Sequence, residues 1–467
     1  MIATSRQTTR LPLLPALDFV VGALLIAFLT LFHEEITAGP RRAAIVASAV
    51  LVIVVLLQRS VIRKRGLTVG LTYLLLLGVF HCGLLLTYAV NGSVTLLNSR
   101  DTAWLWSSVL PEAAWVSALG VAAFGTGYAL LSGRAAPAGA PSERGPMSDS
   151  TSENMGIVGL LAFGAGLAGW LFWTIASGAF ALGGSYIEFL SRTADKPMPF
   201  TYLAMGLGLP MTAGASRTVR RVGLGLFVLW AGPAFLIGLR GEVILPLAAY
   251  LVVAARHRRL PLAGMAVGGF TLLCLGAFVR GFRTAGLNNG AIEWRAFNPI
   301  DGLAELGYSI RPVVTALGWR VTGEPPVGMD TYLNPVRRLL SPVVQTDTPT
   351  VVQDPSALST TVSGRIGPIG GSSIAEAYRV QGAFSVIVVL LLVGLTCRVL
   401  DSLPVTETWD ALVGGSAFIL FLWIRNDFVP VPAQILLMLF VVGLASLLPS
   451  KPSGRPAAVR GLAEQGR

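Results

Sequence analysis

Charge is scarce in this chain. Only 13% of its 467 residues are Asp, Glu, Lys or Arg, against 53% hydrophobic residues and a mean hydropathy of +0.69. Soluble domains run near a quarter charged, so the polar groups needed to cover a water-facing globule are missing. Cysteine is equally thin. Cys82, Cys274 and Cys397 stand apart inside apolar runs, which excludes a disulfide framework and leaves them as small buried hydrophobes. His33, His81 and His257 are also scattered, so no histidine-based metal site is expected, and neither a metal nor a cofactor enters the reading. Lysine is almost absent and arginine carries the positive charge. The net charge of +11 and pI near 10.1 fall on short segments between apolar runs, not on a soluble basic domain, which argues against a nucleic-acid partner. A cleavable leader is not expected either. The apolar run from Leu17 ends in Phe32-His33-Glu34-Glu35 without a small-residue cleavage site.

What the chain does have is long apolar runs, each of about 20 residues, the length that crosses a bilayer as a helix. Runs without alternation indicate helices, and only helices or closed barrels satisfy their backbone in lipid. The expected fold is therefore an all-α, polytopic membrane bundle of about twelve transmembrane helices with one large extracytoplasmic loop. Spans are placed at 17–32, 43–58, 67–90, 104–132, 155–180, 199–216, 219–238, 242–255, 261–279, 383–400, 408–424 and 430–448. The organisation that follows is a four-span N-terminal bundle (1–132), a flexible Ala/Pro/Ser/Gly linker (133–154) and the central spans (155–279). The large loop (280–382), three C-terminal spans (383–448) and a tail (449–467) complete the chain.

Alternating the connections sorts the charges. One set holds Arg6 and Arg10, Arg59 to Arg65, Arg217 to Arg221, Arg256 to Arg259 and the tail. The other holds nearly balanced segments and the long loop. The positive-inside rule puts the first set in the cytoplasm, with both termini inside, the loop outside and membrane lipid around the bundle.

Several groups could carry chemistry. The loop contains nine arginines, Arg280, Arg283, Arg295, Arg311, Arg320, Arg337, Arg338, Arg365 and Arg379, with neither lysine nor histidine. Planar guanidinium forks suit phosphate and diphosphate. Two clusters lie at the outer boundary. One is Gly238-Leu239-Arg240-Gly241-Glu242, where Pro233 and Pro246 are expected to break the flanking helices, and the other is Arg280-Gly281-Phe282-Arg283. Charges beside broken helices mark substrate paths, though arginines also snorkel to anchor helix ends. Pro299–Trp319 spaces Ile300, Leu303, Leu306, Ile310, Val313 and Leu317 as an amphipathic helix, with Glu305, Tyr308 and Arg311 on its polar side. The densest motif runs from Gly367 through Ser372, Ser373, Glu376 and Tyr378 to Arg379. Its glycines permit close backbone approach, and Ser373 with Glu376 also fits a capping box, which would explain the glutamate structurally.

The run Gly370–Gly382 (GGSSIAEAYRVQG) before an apolar span resembles the bacterial O-antigen polymerase, or Wzy-type oligosaccharide repeat-unit polymerase, family. Arg240-Gly241, Glu305-Leu306-Gly307 and the architecture of many spans with one outer loop resemble it too. Where relatives often carry an asparagine and an aromatic before the glycine, this chain has Arg379-Val380-Gln381. The resemblance implies a metal-independent glycosyltransferase of the plasma membrane, acting on its outer face. It would transfer a glycan from a polyprenyl-diphosphate carrier onto a lipid-linked repeat unit, with a chain-length regulator as a further partner. On that implication Glu376 is the general base, with Glu305 and Glu242 as alternates. Arg240 and Arg280 stabilise the departing diphosphate, and Arg283, Arg311, Tyr378, Arg379 and Ser372 contact substrate. Glu376→Gln is then expected to abolish polymer. An O-antigen-ligase-type glycosyltransferase is the nearest rival, but such ligases rely on a histidine that this loop lacks. A lipid-linked oligosaccharide flippase or other transporter is the rival of another class.

Overall fold

The computed structural model describes residues 13–59, 61–62, 66–92, 103–131, 153–179, 186–285, 299–344, 348–367 and 369–448. The linker at 133–152 and the tail from 449 lie outside them. Secondary structure among the described residues is helical, without strands. In chain order the helices are α1 (Leu13–Leu31), α2 (His33–Thr37), α3 (Pro40–Leu57), α4 (Val69–Asn91), α5 (Leu110–Leu130), α6 (Glu153–Ala176), α7 (Tyr186–Thr193), α8 (Met198–Thr212), α9 (Arg217–Ile237), α10 (Arg240–His257) and α11 (Leu262–Ala285). The long loop contributes α12 (Pro299–Leu306), α13 (Arg311–Val321), α14 (Asp330–Val344), α15 (Leu358–Arg365) and α16 (Ser373–Gln381). The chain then closes with α17 (Ala383–Ser402), α18 (Glu407–Trp423) and α19 (Val431–Leu447).

Every apolar run read from the sequence is helical. Among the described residues six helices, α3, α4, α5, α6, α9 and α17, are long and apolar enough to cross a membrane, and Leu17–Leu31, Ala263–Ala277 and Val431–Leu447 are shorter apolar stretches. Leu24, Phe172, Leu229, Phe384 and Phe440 project outward from the bundle. So much exposed apolar surface suits lipid, not water. The protein is an integral membrane protein.

Inside lipid there is little hydrophobic drive between helices, so close approach depends on small residues. A side chain added at Gly127 of α5 would stand 2.0 Å from the Leu391 carbonyl of α17, and one at Gly394 of α17 would stand 2.2 Å from the Phe124 carbonyl of α5. Gly208 of α8 meets the Gly159 carbonyl of α6 in the same way, at 2.4 Å. One core joins α3, α4, α5, α17, α18 and α19 to the loop helices. A second gathers Phe163 and Trp170 of α6, Met205 and Leu209 of α8, Phe227 and Trp230 of α9, and Tyr250 of α10.

Two expectations change. Pro233 and Pro246 do not end helices; they sit inside α9 and α10, and the turn between is made by Gly238 at φ 103°. The prolines remove single amides, so the carbonyls four residues earlier lose their helical partners while the helices continue. The stretch 299–319 is also not one interfacial helix. It divides into α12, a 3-10 turn at Gly307–Ile310 and α13, which begins at Arg311 and carries Pro312 in its first turn. Packing is the reason. A side chain at Gly302 would meet the Leu273 carbonyl of α11 at 2.0 Å, and one at Gly307 would meet the Leu84 amide of α4 at 2.1 Å. α12 is wedged between two helices of the bundle.

Candidate functional site

Arg240 opens α10 directly after the Gly238 turn and is 4% exposed. Its Nη1 lies 3.2 Å from Oε1 of Glu305 on the last turn of α12. The Gly307 contact with α4 thus sets the depth at which Glu305 meets Arg240. Beside them stands Arg425, from the turn between α18 and α19. Its Nη1 would be only 2.6 Å from a side chain at Gly241, so the glycine admits the guanidinium against the first turn of α10. Arg425 covers the Phe80 ring at 5.1 Å, and its guanidinium makes no hydrogen bond or ion pair among the described residues. Next to Phe80, His81 Nε2 and Ser372 Oγ are 2.7 Å apart.

The turn that presents Arg425 is tied down at three points. The Gly371 amide donates to the Arg425 carbonyl at 3.0 Å. The Asp427 carboxylate accepts from the Ser359 amide at 3.0 Å and from its hydroxyl. The Phe428 amide donates to both oxygens of Glu376 at 3.0 Å. Glu376 further accepts from Trp423 Nε1 at 2.9 Å and from Thr331 Oγ1 at 2.8 Å. It is 1% exposed, behind the rings of Trp423, Tyr332 and Phe428. α16 lies between the spans, and there burial, then the nearby Asp427 carboxylate, push the Glu376 carboxyl up to about 8 against the pull of its donors. Gly370 takes φ 78°, and a side chain at Gly371 would stand 2.8 Å from the Asp427 amide. The paired glycines therefore serve close approach to this turn.

The capping box drawn from Ser373 and Glu376 is not what forms. Ser372 is the N-cap of α16, accepting from the Ala375 amide at 3.2 Å, and the Glu376 side chain leaves the helix for α14 and the α18–α19 turn.

A second arginine-rich region lies in the loop. A cavity of about 530 Å³ is lined by Trp319, Arg320, Glu324, Pro325, Pro326, Asp330, Asn334, Arg337, Asp354, Arg365 and Arg379, among others. Arg365 and Arg379 stack over Trp319 at 4.8 and 5.2 Å. Arg365 pairs with Glu324, Arg337 lies 3.5 Å from Asp330, and Arg338 lies 2.8 Å from Asp354. Burial would raise the Asp354 carboxyl, yet hydrogen bonds from Ser356, Arg338 and Asn334 hold it below the ordinary carboxylate value.

The expected site residues thus separate. Arg240 and Glu305 meet, with Ser372 one hydrogen bond from the same neighbourhood through His81. Glu242 is half-buried and within electrostatic reach of Tyr202 on α8. Arg311 is drawn to Tyr308, 3.4 Å from its hydroxyl, which also accepts from Trp104. Arg379 belongs to the loop cavity, and Tyr378 is within electrostatic reach of Glu112 and Arg320. Positions 280 and 283 fall near the end of α11, but the side chains of Arg280 and Arg283 lie outside the described residues. The sequence reading missed Arg425 and Asp427. Their turn packs against the long loop through Gly371 and Ser359, and a lone arginine between two apolar runs was the available signal.

A sequence model of the O-antigen polysaccharide polymerase Wzy family matches residues 19–449. Protein CapE of Staphylococcus aureus is 27% identical over 270 residues, covering 56% of this chain and 59% of CapE. The chain thus spans less than two thirds of the length of that relative. No solved structure matches. The chain belongs to the O-antigen polysaccharide polymerase Wzy family.

Proposed function

We propose that the chain lengthens a glycan on a polyprenyl-diphosphate carrier by transferring it to a hydroxyl of a second lipid-linked repeat unit. The reaction runs at the outer face of the plasma membrane, within a bundle of twelve spans whose termini are cytoplasmic. The observation that carries this reading is Arg425, a half-buried guanidinium without a carboxylate or hydrogen-bond partner among the described residues, set against the Arg240–Glu305 pair. A cation held ready in a partly desolvated place stabilises a developing anion more strongly than one in water.

In the transfer, the bond between the sugar's anomeric carbon and the diphosphate oxygen breaks. A new bond forms from that carbon to the acceptor oxygen, whose proton leaves to a carboxylate. Arg425 receives the growing negative charge of the diphosphate, with Arg240 beside it and with Arg280 and Arg283 as further ligands from α11. Glu305 is the carboxylate next to the arginines, and we assign it the proton. Glu376 is recast as a positioning residue. Its oxygens are engaged by Thr331, Trp423 and Phe428, and what they hold is the turn that carries Arg425. No metal is needed where arginines neutralise the leaving group.

The test is an assay of purified chain with two lipid-linked repeat units and no nucleotide. Lengthening by the unmodified chain, lost in both Arg425→Ala and Glu305→Gln, supports the assignment. Normal product lengths from either variant would sink it, and vesicle translocation without lengthening would favour a flippase.

A further inference from the structure

The loop cavity of about 530 Å³ is built wholly from the segment between α11 and α17. Its cations are already engaged. Arg365 pairs with Glu324, Arg337 with Asp330, and Arg379 donates to the Pro355 and Ser356 carbonyls at 2.8 and 3.4 Å. The carboxylates of Glu324 and Asp330 face the same space, where they would repel a phosphate. What the walls offer is planar, two-pronged donors and acceptors alternating with the apolar surfaces of Trp319, Pro325 and Pro326. A sugar ring presents the same alternation, hydroxyls around its edge and C–H patches on its faces. The walls are also fixed in advance. The Val327 amide donates to the Arg379 carbonyl at 3.0 Å, and the Arg379 side chain secures the opposite turn at Pro355 and Ser356. Binding there costs little ordering.

We infer that this cavity is a carbohydrate subsite, separate from the Arg240–Arg425 cluster, that holds sugar residues of the glycan. It rests on the polymerase reading for the identity of the sugar, while the cavity's own chemistry argues for the class. A chain gripped there stays near the membrane between transfers.

The full chain in detergent is titrated calorimetrically with short lipid-free oligosaccharides cut from the producing cell's own surface polysaccharide, and with inorganic pyrophosphate as competitor. The oligosaccharide is expected to bind, and Asp330→Ala and Arg337→Ala are each expected to weaken it roughly tenfold. Pyrophosphate is expected to leave the titration unchanged. Both side chains are about half exposed, at 58% and 51%, and their exposed ion pair is worth little to folding. Unchanged thermal midpoints check that the variants are folded. An oligosaccharide that does not bind, that binds both variants as tightly as the unmodified chain, or that pyrophosphate displaces overturns the inference. The polymerase reading fails separately, if lipid-linked units are never joined while the two variants still lose oligosaccharide binding.

Discussion

Where α10, α12 and the α18–α19 turn meet, Arg425 carries its charge against the Phe80 ring with no carboxylate on its guanidinium among the described residues. In the loop cavity the lining arginines are matched to acids or to carbonyl oxygens: Arg365 to Glu324, Arg337 to Asp330, Arg320 to the Glu324 carbonyl and Arg379 to Pro355 and Ser356. Arginine content alone therefore does not identify an anion site. A guanidinium without a counter-charge keeps its field for a substrate, whereas a matched one contributes shape and hydrogen bonds.

The largest effect that can break this contrast is Arg425→Ala. Losing one preorganised donor to a developing oxyanion typically costs about 100- to 1,000-fold in rate. The lengthening rate is expected to fall in that range, with the thermal midpoint unchanged. A rate within threefold of the unmodified chain would place the charge-stabilising residue elsewhere. Glu305→Gln comes next, with an expected loss of about 100-fold, the lower end for a general base. It is read in the same lengthening assay, and a rate close to that of the unmodified chain would remove Glu305 from the proton transfer.

The membrane class and the positions of the helices were legible in the sequence because apolar runs need no tertiary information to be recognised. Arg240 and Glu305 were legible as separate candidates through the family resemblance, and it is the fold that joins them, 65 positions apart, in one ion pair. Three things were not legible. α12 is buried by contacts at Gly302 and Gly307 with other helices, which no periodicity reveals. Glu376 stood within a motif that permits a capping box, and its actual partners lie 45 to 52 residues away. Arg425 shares a short turn with Asp427, and its weight comes only from Gly241 and Phe80 folding onto it.

Glu376 sharpens the contrast by separating support from chemistry. In Glu376→Gln the amide nitrogen can donate to Thr331 Oγ1 while the amide oxygen accepts from Trp423 and Phe428. Lengthening is therefore expected to stay within a few-fold of the unmodified chain. Glu376→Ala strands those donors in a buried place, at about 1–3 kcal/mol for the unsatisfied groups, and should lower both the thermal midpoint and the rate. Abolition by the glutamine variant with an unchanged midpoint would return Glu376 to the role of base.

The same carboxyl predicts a pH dependence. Its value is raised from 4.5 to about 8 in the folded chain, so between those limits the folded state binds more proton than the unfolded state. Stability from this group is present below about pH 4.5, declines as pH rises towards 8 and levels off above. Thermal midpoints of the unmodified chain and Glu376→Gln, measured side by side from pH 5 to 9, should therefore converge at low pH and separate at high pH, with the glutamine variant the flatter curve. Parallel curves would show that the carboxyl does not titrate there.

The smallest effect belongs to the loop cavity. Arg365 and Glu324 form an ion pair whose side chains remain 49% and 37% exposed. Exposed pairs contribute about 0.2–1 kcal/mol, and salt weakens them further. Glu324→Gln is expected to shift the thermal midpoint by no more than a few degrees in dilute buffer, with the difference vanishing in concentrated salt. A large, salt-resistant loss would mean that this pair supports the loop fold itself, and the matched arginines of the cavity would then have to be read as scaffold before recognition.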